Sequence, residues 1–344
     1  MSPLQMGLDT FGDVTVDREG TRESFATTLQ HIVAEGILAD ELGIDFIGVG
    51  EHHRADFAVS APEVVLAAIA ASTTRIRLGS AVTVMSSDDP VRVFQRFATL
   101  DGVSNGRAEV ILGRGSFTES FPLFGYELDD YETLFEEKVE LFSLLRGEQE
   151  VSWRGTLRPP LDHQEVFPKT LAGALPTWLG VGGSPESVVR AARYGFGLML
   201  AIIGGRPERF AQYVDLFERA QAHFEMSNLP VGVHSPGYVA DTDEQAMEEL
   251  WPHFRDMHAR IGAERGWAAM TIEQFRASVG PQGSLYAGSP ETVAQKIAKT
   301  AKALRLTRFD LKYSAGTLPH DKLMRSIELY GTQIIPRVRE LLTE

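Results

Sequence analysis

The sequence predicts an α/β fold, a (β/α)8 barrel with insertions after strands 4 and 7, and three observations carry that expectation. Short apolar runs alternate with helical periodicity from one end of the chain to the other, which is the pattern of parallel βα units. Eight of the runs read as strands, the number that closes such a barrel. Runs such as LMLAII (Leu198 to Ile203) are apolar without interruption, which implies burial on both faces of a sheet wrapped by helices.

Taken in order, the first strand is expected over Leu4 to Phe11, and Phe25, Leu29, Ile32, Val33, Ile37 and Leu42 then recur at helical spacing before Gly43, a natural stop. Further strands follow at Phe46 to Gly50, Ile76 to Val84 and Ala108 to Gly113. The first insertion runs from about Gly115 to Leu175. It is expected to hold a helix over Tyr131 to Leu145, a hairpin over Val151 to Leu157 around a Trp-Arg-Gly turn, and a connection through Pro159 and Pro160. The remaining strands are Thr177 to Gly182, Leu198 to Ile203, Val231 to Ala240 and Phe309 to Ser314, with the second insertion from about Trp251 to Tyr286 before the last. No linker or low-complexity tract divides the chain, so one domain over residues 1–344 is expected. A doubly wound sheet is the structural rival, but no GxGxxG follows the first strand.

Composition narrows the function classes. A chain of 344 residues, 43% hydrophobic and 23% charged, can bury a large core. Its formal charge of −14 repels phosphate backbones and anionic lipid surfaces, so neither nucleic acid nor membrane is an expected partner. The absence of cysteine excludes disulfides, a thiol nucleophile and thiolate metal sites. Met1 to Asp9 has no cationic stretch followed by an apolar run, and no segment has the roughly 20 apolar residues that cross a bilayer. A cytoplasmic location is the expectation.

In a barrel, polar residues at the carboxyl ends of strands mark the chemistry. Glu51, His52 and His53 end the second strand. They can supply an acid–base group near neutral pH, begin a metal site, or simply be solvated loop residues. No Glu-x-x-His spacing follows, so no metal is expected. GVGGSPES (Gly180 to Ser187) leads from the fifth strand into a helix with Ser184 as its cap and Pro185 in the first turn. Free amides there bind phosphate, and Gly182 and Gly183 let a ligand approach the backbone; the alternative is plain helix capping. Arg114, between two glycines, can clamp a phosphate or pair with an acidic neighbour such as Glu119. Lys312 reads as a Schiff-base lysine or an ion pair with Asp310 or Asp321, and His320 as a substrate contact or a cap on the last helix. Phe57, Met85, Phe117, Phe121 and Phe124 can wall an apolar pocket, although aromatic residues at such spacings are more often core.

These pieces together resemble the luciferase-like monooxygenase family of flavin-dependent oxidoreductases. The resemblance is carried by GEHH (Gly50 to His53), Arg75 to Asp101, SNGRAEVILGRG (Ser104 to Gly115), Val181 to Gly195, YVADTDEQA (Tyr238 to Ala246) and SIELYGTQIIP (Ser326 to Pro336), and it spans nearly the whole chain. It implies flavin mononucleotide (FMN) at the strand ends, its phosphate on Arg114, Ser184 and Ser187. It also implies a non-proline cis peptide at Ala81–Val82 beneath the flavin ring, and catalytic histidines at His52 and His53. The activity implied is attack of a flavin hydroperoxide, formed from reduced FMN and O2, on a small organic substrate. Reduced flavin would come from a separate reductase, and a homodimer paired through barrel helices is expected. Luciferase itself has a cysteine where this chain has Gly113, so light emission is not implied, and luciferase's second phosphate-binding arginine falls near Glu132. Two other readings stay open: hydride transfer with the 8-hydroxy-5-deazaflavin coenzyme, and a catalytically silent flavin binder.

Overall fold

The computed structural model describes residues 3–343. Its centre is a closed barrel of eight parallel strands, β1 (Gln5–Thr10), β2 (Phe46–Val49), β3 (Arg77–Ser80), β4 (Ala108–Gly113), β5 (Thr177–Val181), β6 (Gly197–Ala201), β7 (Val231–Val239) and β8 (Arg308–Lys312). Each strand pairs with the next, and β8 closes on β1 with Met6 beside Phe309 and Leu8 beside Leu311. Closure excludes the open doubly wound sheet.

The helices between strands are α1 (Phe25–Glu41), α2 (Pro62–Ser72), α3 (Pro90–Ser104), α4 (Tyr131–Leu145), α5 (Pro185–Arg193), α6 (Ala211–His223), α7 (Asp243–Arg265) and α8 (Pro290–Leu304). Local chemistry fixes their starts. Ser24, Asp89, Ser184 and Ser289 each accept a bond from a first-turn amide, and proline opens α3, α5 and α8, where a missing N–H costs nothing.

Two separate cores result from this closure. Outward-facing strand residues such as Leu8, Ile47, Leu78 and Leu179 pack under the helices, whereas Phe46, Ile111, Trp178 and Met199 fill the barrel. Beside them inside the barrel lies a buried ionic layer. Arg308, 1% exposed, donates through Nε to both Asp310 oxygens at 2.8 Å and pairs with Glu109, while Arg77 donates to Glu109 at 3.1 Å. The Arg308 guanidinium also lies 3.4 Å above the Phe46 ring centroid. Burial pushes the Asp310 carboxyl up to about 8 against the pull of Arg308, with Asp9 and Glu109 adding to the rise. Glu109 is held below its ordinary value by Arg308 and Arg77 despite its burial. Glycine makes room for these carboxylates: a Cβ on Gly7 would stand 2.1 Å from Asp310 Oδ1, and one on Gly48 2.1 Å from Asp9 Oδ1.

Three expectations change in detail. The third strand is not continuous, because Ala81–Val82 is a cis peptide and Thr83–Val84 pairs separately with β4. The hairpin of the first insertion pairs Val151–Trp153 with Leu161–Gln164, so the two prolines lie in its loop instead of beyond it. Trp251, the expected start of the second insertion, lies inside α7, which continues through Pro252 to Arg265.

Candidate active site

The carboxyl ends of the strands surround a cavity of about 610 Å3, a size suited to a cofactor with a small substrate. His52, His53, Ala81, Val82, Arg114, Gly182, Gly183, Ser184 and Ser187, all singled out from the sequence, line it.

One side of the cavity is an anion cradle. Ser184 caps α5 by accepting from the Ser187 amide at 3.2 Å, and Ser187 is buried with its hydroxyl accepting from Arg190 at 3.1 Å. Gly183 sits at φ +137°, a conformation open to glycine, and its carbonyl accepts from Tyr213 at 2.9 Å. A Cβ at Gly182 would meet nothing within 4 Å, so the space in front of this backbone is free. Arg114 faces the same side, its guanidinium 4.9 Å from the Phe135 ring centroid. Its side chain pairs with Glu132, not with Glu119, which belongs to Arg54. Its Nε is buried without a partner. A helix N-terminus, open glycines and a guanidinium with an unused donor match the needs of a phosphate monoester, so the residues present fit FMN at this end.

The floor is apolar. Val82 reaches into the space left by two glycines: a Cβ on Gly113 would stand 2.5 Å from one Val82 methyl, and one on Gly180 3.2 Å from the other. Ile111 and Met199 line the cavity beside it.

The opposite side carries the titratable groups. Glu51 is buried, accepts from the Val84 amide at 2.9 Å, and lies 2.8 Å from His53 Nε2. It therefore ties the loop after β2 to the segment after the cis peptide. His52 stacks among Phe11, Phe57 and Phe117 at centroid distances of 4.7, 4.3 and 5.5 Å. Burial pushes its imidazole down to about 3, and Nδ1 has no partner. At neutral pH His52 is thus an uncharged hydrogen-bonding group.

The two insertions meet over this side. Phe117 lies under the guanidinium groups of both Arg54 and Arg265, at 4.4 and 4.9 Å. Arg54 bonds Glu119 of the first insertion and Glu264 of α7, and Arg265 donates to the Ser116 carbonyl at 2.6 Å.

Other candidates fall elsewhere. Lys312 bonds Asp13 at 2.8 Å, not Asp310 or Asp321, and Asp13 also accepts from Ser314 and the Gly316 amide. That pairing leaves no free amine for a Schiff base. His320 opens the helix His320–Leu329 outside the cavity, 2.9 Å from Glu35 and stacked on His31. Of the residues expected to wall an apolar pocket, Phe117 lines the cavity, whereas Met85 and Phe121 are buried, Phe57 packs behind His52 and Phe124 is exposed.

Sequence reasoning missed Asp9 and His234. Asp9 on β1 is fully buried, and its Oδ2 lies 2.5 Å from His234 Nδ1 on β7. Both line the cavity. Asp9 is the second-last residue of β1, the same signal that picked out His52, whereas His234 lies in the middle of the nine-residue β7, where strand-end position does not mark it.

Comparison with known proteins identifies the family and the fold. The family model described as luciferase-like monooxygenase matches residues 10–307. The 4-hydroxyprotoasukamycin monooxygenase of Streptomyces nodosus subsp. asukaensis is 24% identical over 314 residues, which cover 87% of this chain and 84% of that protein. The oxygenating constituent of 3,6-diketocamphane monooxygenase from Pseudomonas putida, solved with FMN, superposes with a TM-score of 0.75 at 17% identity, covering 98% of this chain and 99% of that one. The coenzyme F420-dependent tetrahydromethanopterin reductase of Methanopyrus kandleri superposes with a TM-score of 0.73 at 20% identity, covering 98% and 100%. Structures of this fold thus include an FMN-bound oxygenase and a deazaflavin-dependent reductase. With its family model matched over most of its length, its barrel closed and its cavity at the carboxyl ends of the strands, the chain belongs to the luciferase-like monooxygenase family.

Proposed function

We propose that this protein is the oxygenating component of an FMN-dependent monooxygenase, one barrel domain across the whole chain. The observation that carries the reading is the cavity itself, with a monoanion cradle at one end, an apolar floor, and neutral or acidic side chains at the other end. Bound reduced FMN would supply oxygen activation through its hydroperoxide, one oxygen atom going to a small organic substrate and the other to water. The chain's own residues do the rest. Arg114, Ser184, Ser187 and the Gly182–Gly183 backbone hold the phosphate, and Ala81 and Val82 support the ring. Phe11, together with Phe117 beneath Arg54 and Arg265, excludes water. His52 serves as an uncharged hydrogen-bonding catalytic group, and His53 with Glu51 fixes its loop. Among the described residues one cavity fits a flavin, and in this reading reduced FMN is supplied by a separate reductase. A homodimer paired through barrel helices is part of this reading. The cytoplasm, where reduced flavin is generated, is the proposed location.

Deazaflavin chemistry is the second reading, and charge separates the two. A deazaflavin with a long anionic tail needs cations beyond the phosphate cradle. Among the described residues, Arg114 is the only lysine or arginine that lines the cavity, whereas Asp9, Glu51 and Glu119 add negative charge. Equilibrium titration with both reduced coenzymes is expected to favour FMN by at least about tenfold. A preference for the deazaflavin would reverse the assignment.

A further inference from the structure

The two histidines after β2 are poorly built to carry a proton. His52 is caged by phenylalanine rings and driven to the neutral form, and His53 is committed to Glu51. The cavity has a third imidazole in a different setting. His234 and Asp9 come from strands separated by β8, where His234 registers with Asp310 and Asp9 with Lys312. The Asp9 carboxylate at 2.5 Å from Nδ1 holds the proton of a neutral imidazole there, which leaves Nε2 with its lone pair. Nε2 bonds no described residue. Asp9 Oδ1 is buried without a partner, so the carboxylate keeps unused accepting capacity beside any imidazolium that forms. The Phe11 ring packs against both His234, at 5.7 Å and 15°, and His52, at 4.7 Å.

We propose that His234 is a catalytic residue of this site, the proton acceptor for a hydroxyl group on a neutral aromatic substrate, and that Asp9 is its positioning residue. The substrate class follows from the walls. Phe11, Ile111, Phe117 and Ile203 give the cavity an apolar lining suited to a ring, Asp9 and Glu51 disfavour a substrate that arrives as an anion, and Arg114, the one guanidinium that lines the cavity among the described residues, is committed to the cradle. In the step itself the substrate O–H bond breaks, the proton goes to Nε2, Nδ1 keeps its own proton on Asp9, and the electron pair stays on the substrate oxygen. In a phenol that pair enriches the ring carbons ortho and para to the oxygen, the positions open to electrophilic oxygen. The fate of those carbons rests on the oxygenase reading above; the proton transfer does not.

The test uses 4-nitrophenol, whose phenolate is coloured and whose neutral form is not, with the full-length protein at a pH where the free probe is largely un-ionised. The wild-type protein is expected to bind the probe and display the phenolate band. His234→Gln and His234→Asn should lower the bound phenolate by about tenfold or more, and Asp9→Asn should lower it partially, while affinity for reduced FMN remains that of the wild type. Absence of binding, a bound probe that stays neutral in the wild type, or an unchanged band in both His234 variants would overturn the assignment. Failure of the wild type to bind reduced FMN while still ionising the probe would remove the flavin reading and leave the proton acceptor in place.

Discussion

Replacing Arg114 by alanine is expected to weaken binding of reduced FMN by roughly a hundredfold, about 3 kcal/mol, while the affinity for riboflavin changes little. The size follows from the donor set. A guanidinium facing a phosphate makes paired charge-assisted bonds that no other lining side chain can replace, since no other lysine or arginine lines the cavity among the described residues. In the free protein Arg114 is partly satisfied by Glu132, which is largely exposed. That contact is screened and contributes little, so its loss should not offset the effect. Riboflavin lacks the phosphate and serves as the internal control. Equal weakening of both ligands in calorimetry would mean that Arg114 supports the ring side of the cavity and not the phosphate.

Arg308→Met is expected to lower unfolding stability by about 3–5 kcal/mol, read from the midpoint of guanidinium denaturation. Two buried carboxylates, Glu109 and Asp310, lose their shared cation, and Arg77 reaches only Glu109. Adding Glu109→Gln and Asp310→Asn should restore part of the loss, because the penalty lies in the under-compensated Glu109 charge and the stranded Asp310 carboxyl. The same layer gives stability a pH dependence. Asp310 is raised from 3.8 to about 8 in the folded chain, so its contribution is complete below 3.8, where both states are protonated. Above that the unfolded chain releases the proton and the folded chain keeps it, and stability falls as pH rises through about 8. Glu109, held low, acts in the opposite direction in acid: its contribution is present above its ordinary value and is lost as pH falls through the lowered one. In the triple variant the decline between pH 3.8 and about 8 should flatten.

Much of this architecture was legible in the chain itself. Ala108 to Gly113 and Tyr131 to Leu145 form the elements expected of them, because their periodicity is strong and bounded by turn residues. Ser184 caps α5 as its Ser-Pro-Glu signal requires. Reading stopped where partners lie far apart in sequence. Asp9 and His234 are 225 residues apart, and Asp13 and Lys312 299 apart. Only barrel closure brings such pairs together, and strand pattern alone cannot say which inward residues share a level. The tight pairing of Arg54 with Glu119 and Glu264 was hidden for the same reason, since it depends on how the two insertions fold back over one another.

The most direct test of the oxygenase assignment is to bind reduced FMN to the protein without oxygen and then mix the complex rapidly with oxygenated buffer while following flavin absorbance. Stoichiometric binding and a resolved flavin hydroperoxide phase before reoxidation are expected. Reoxidation in one phase at the rate of free reduced FMN, or no binding at all, would contradict the assignment.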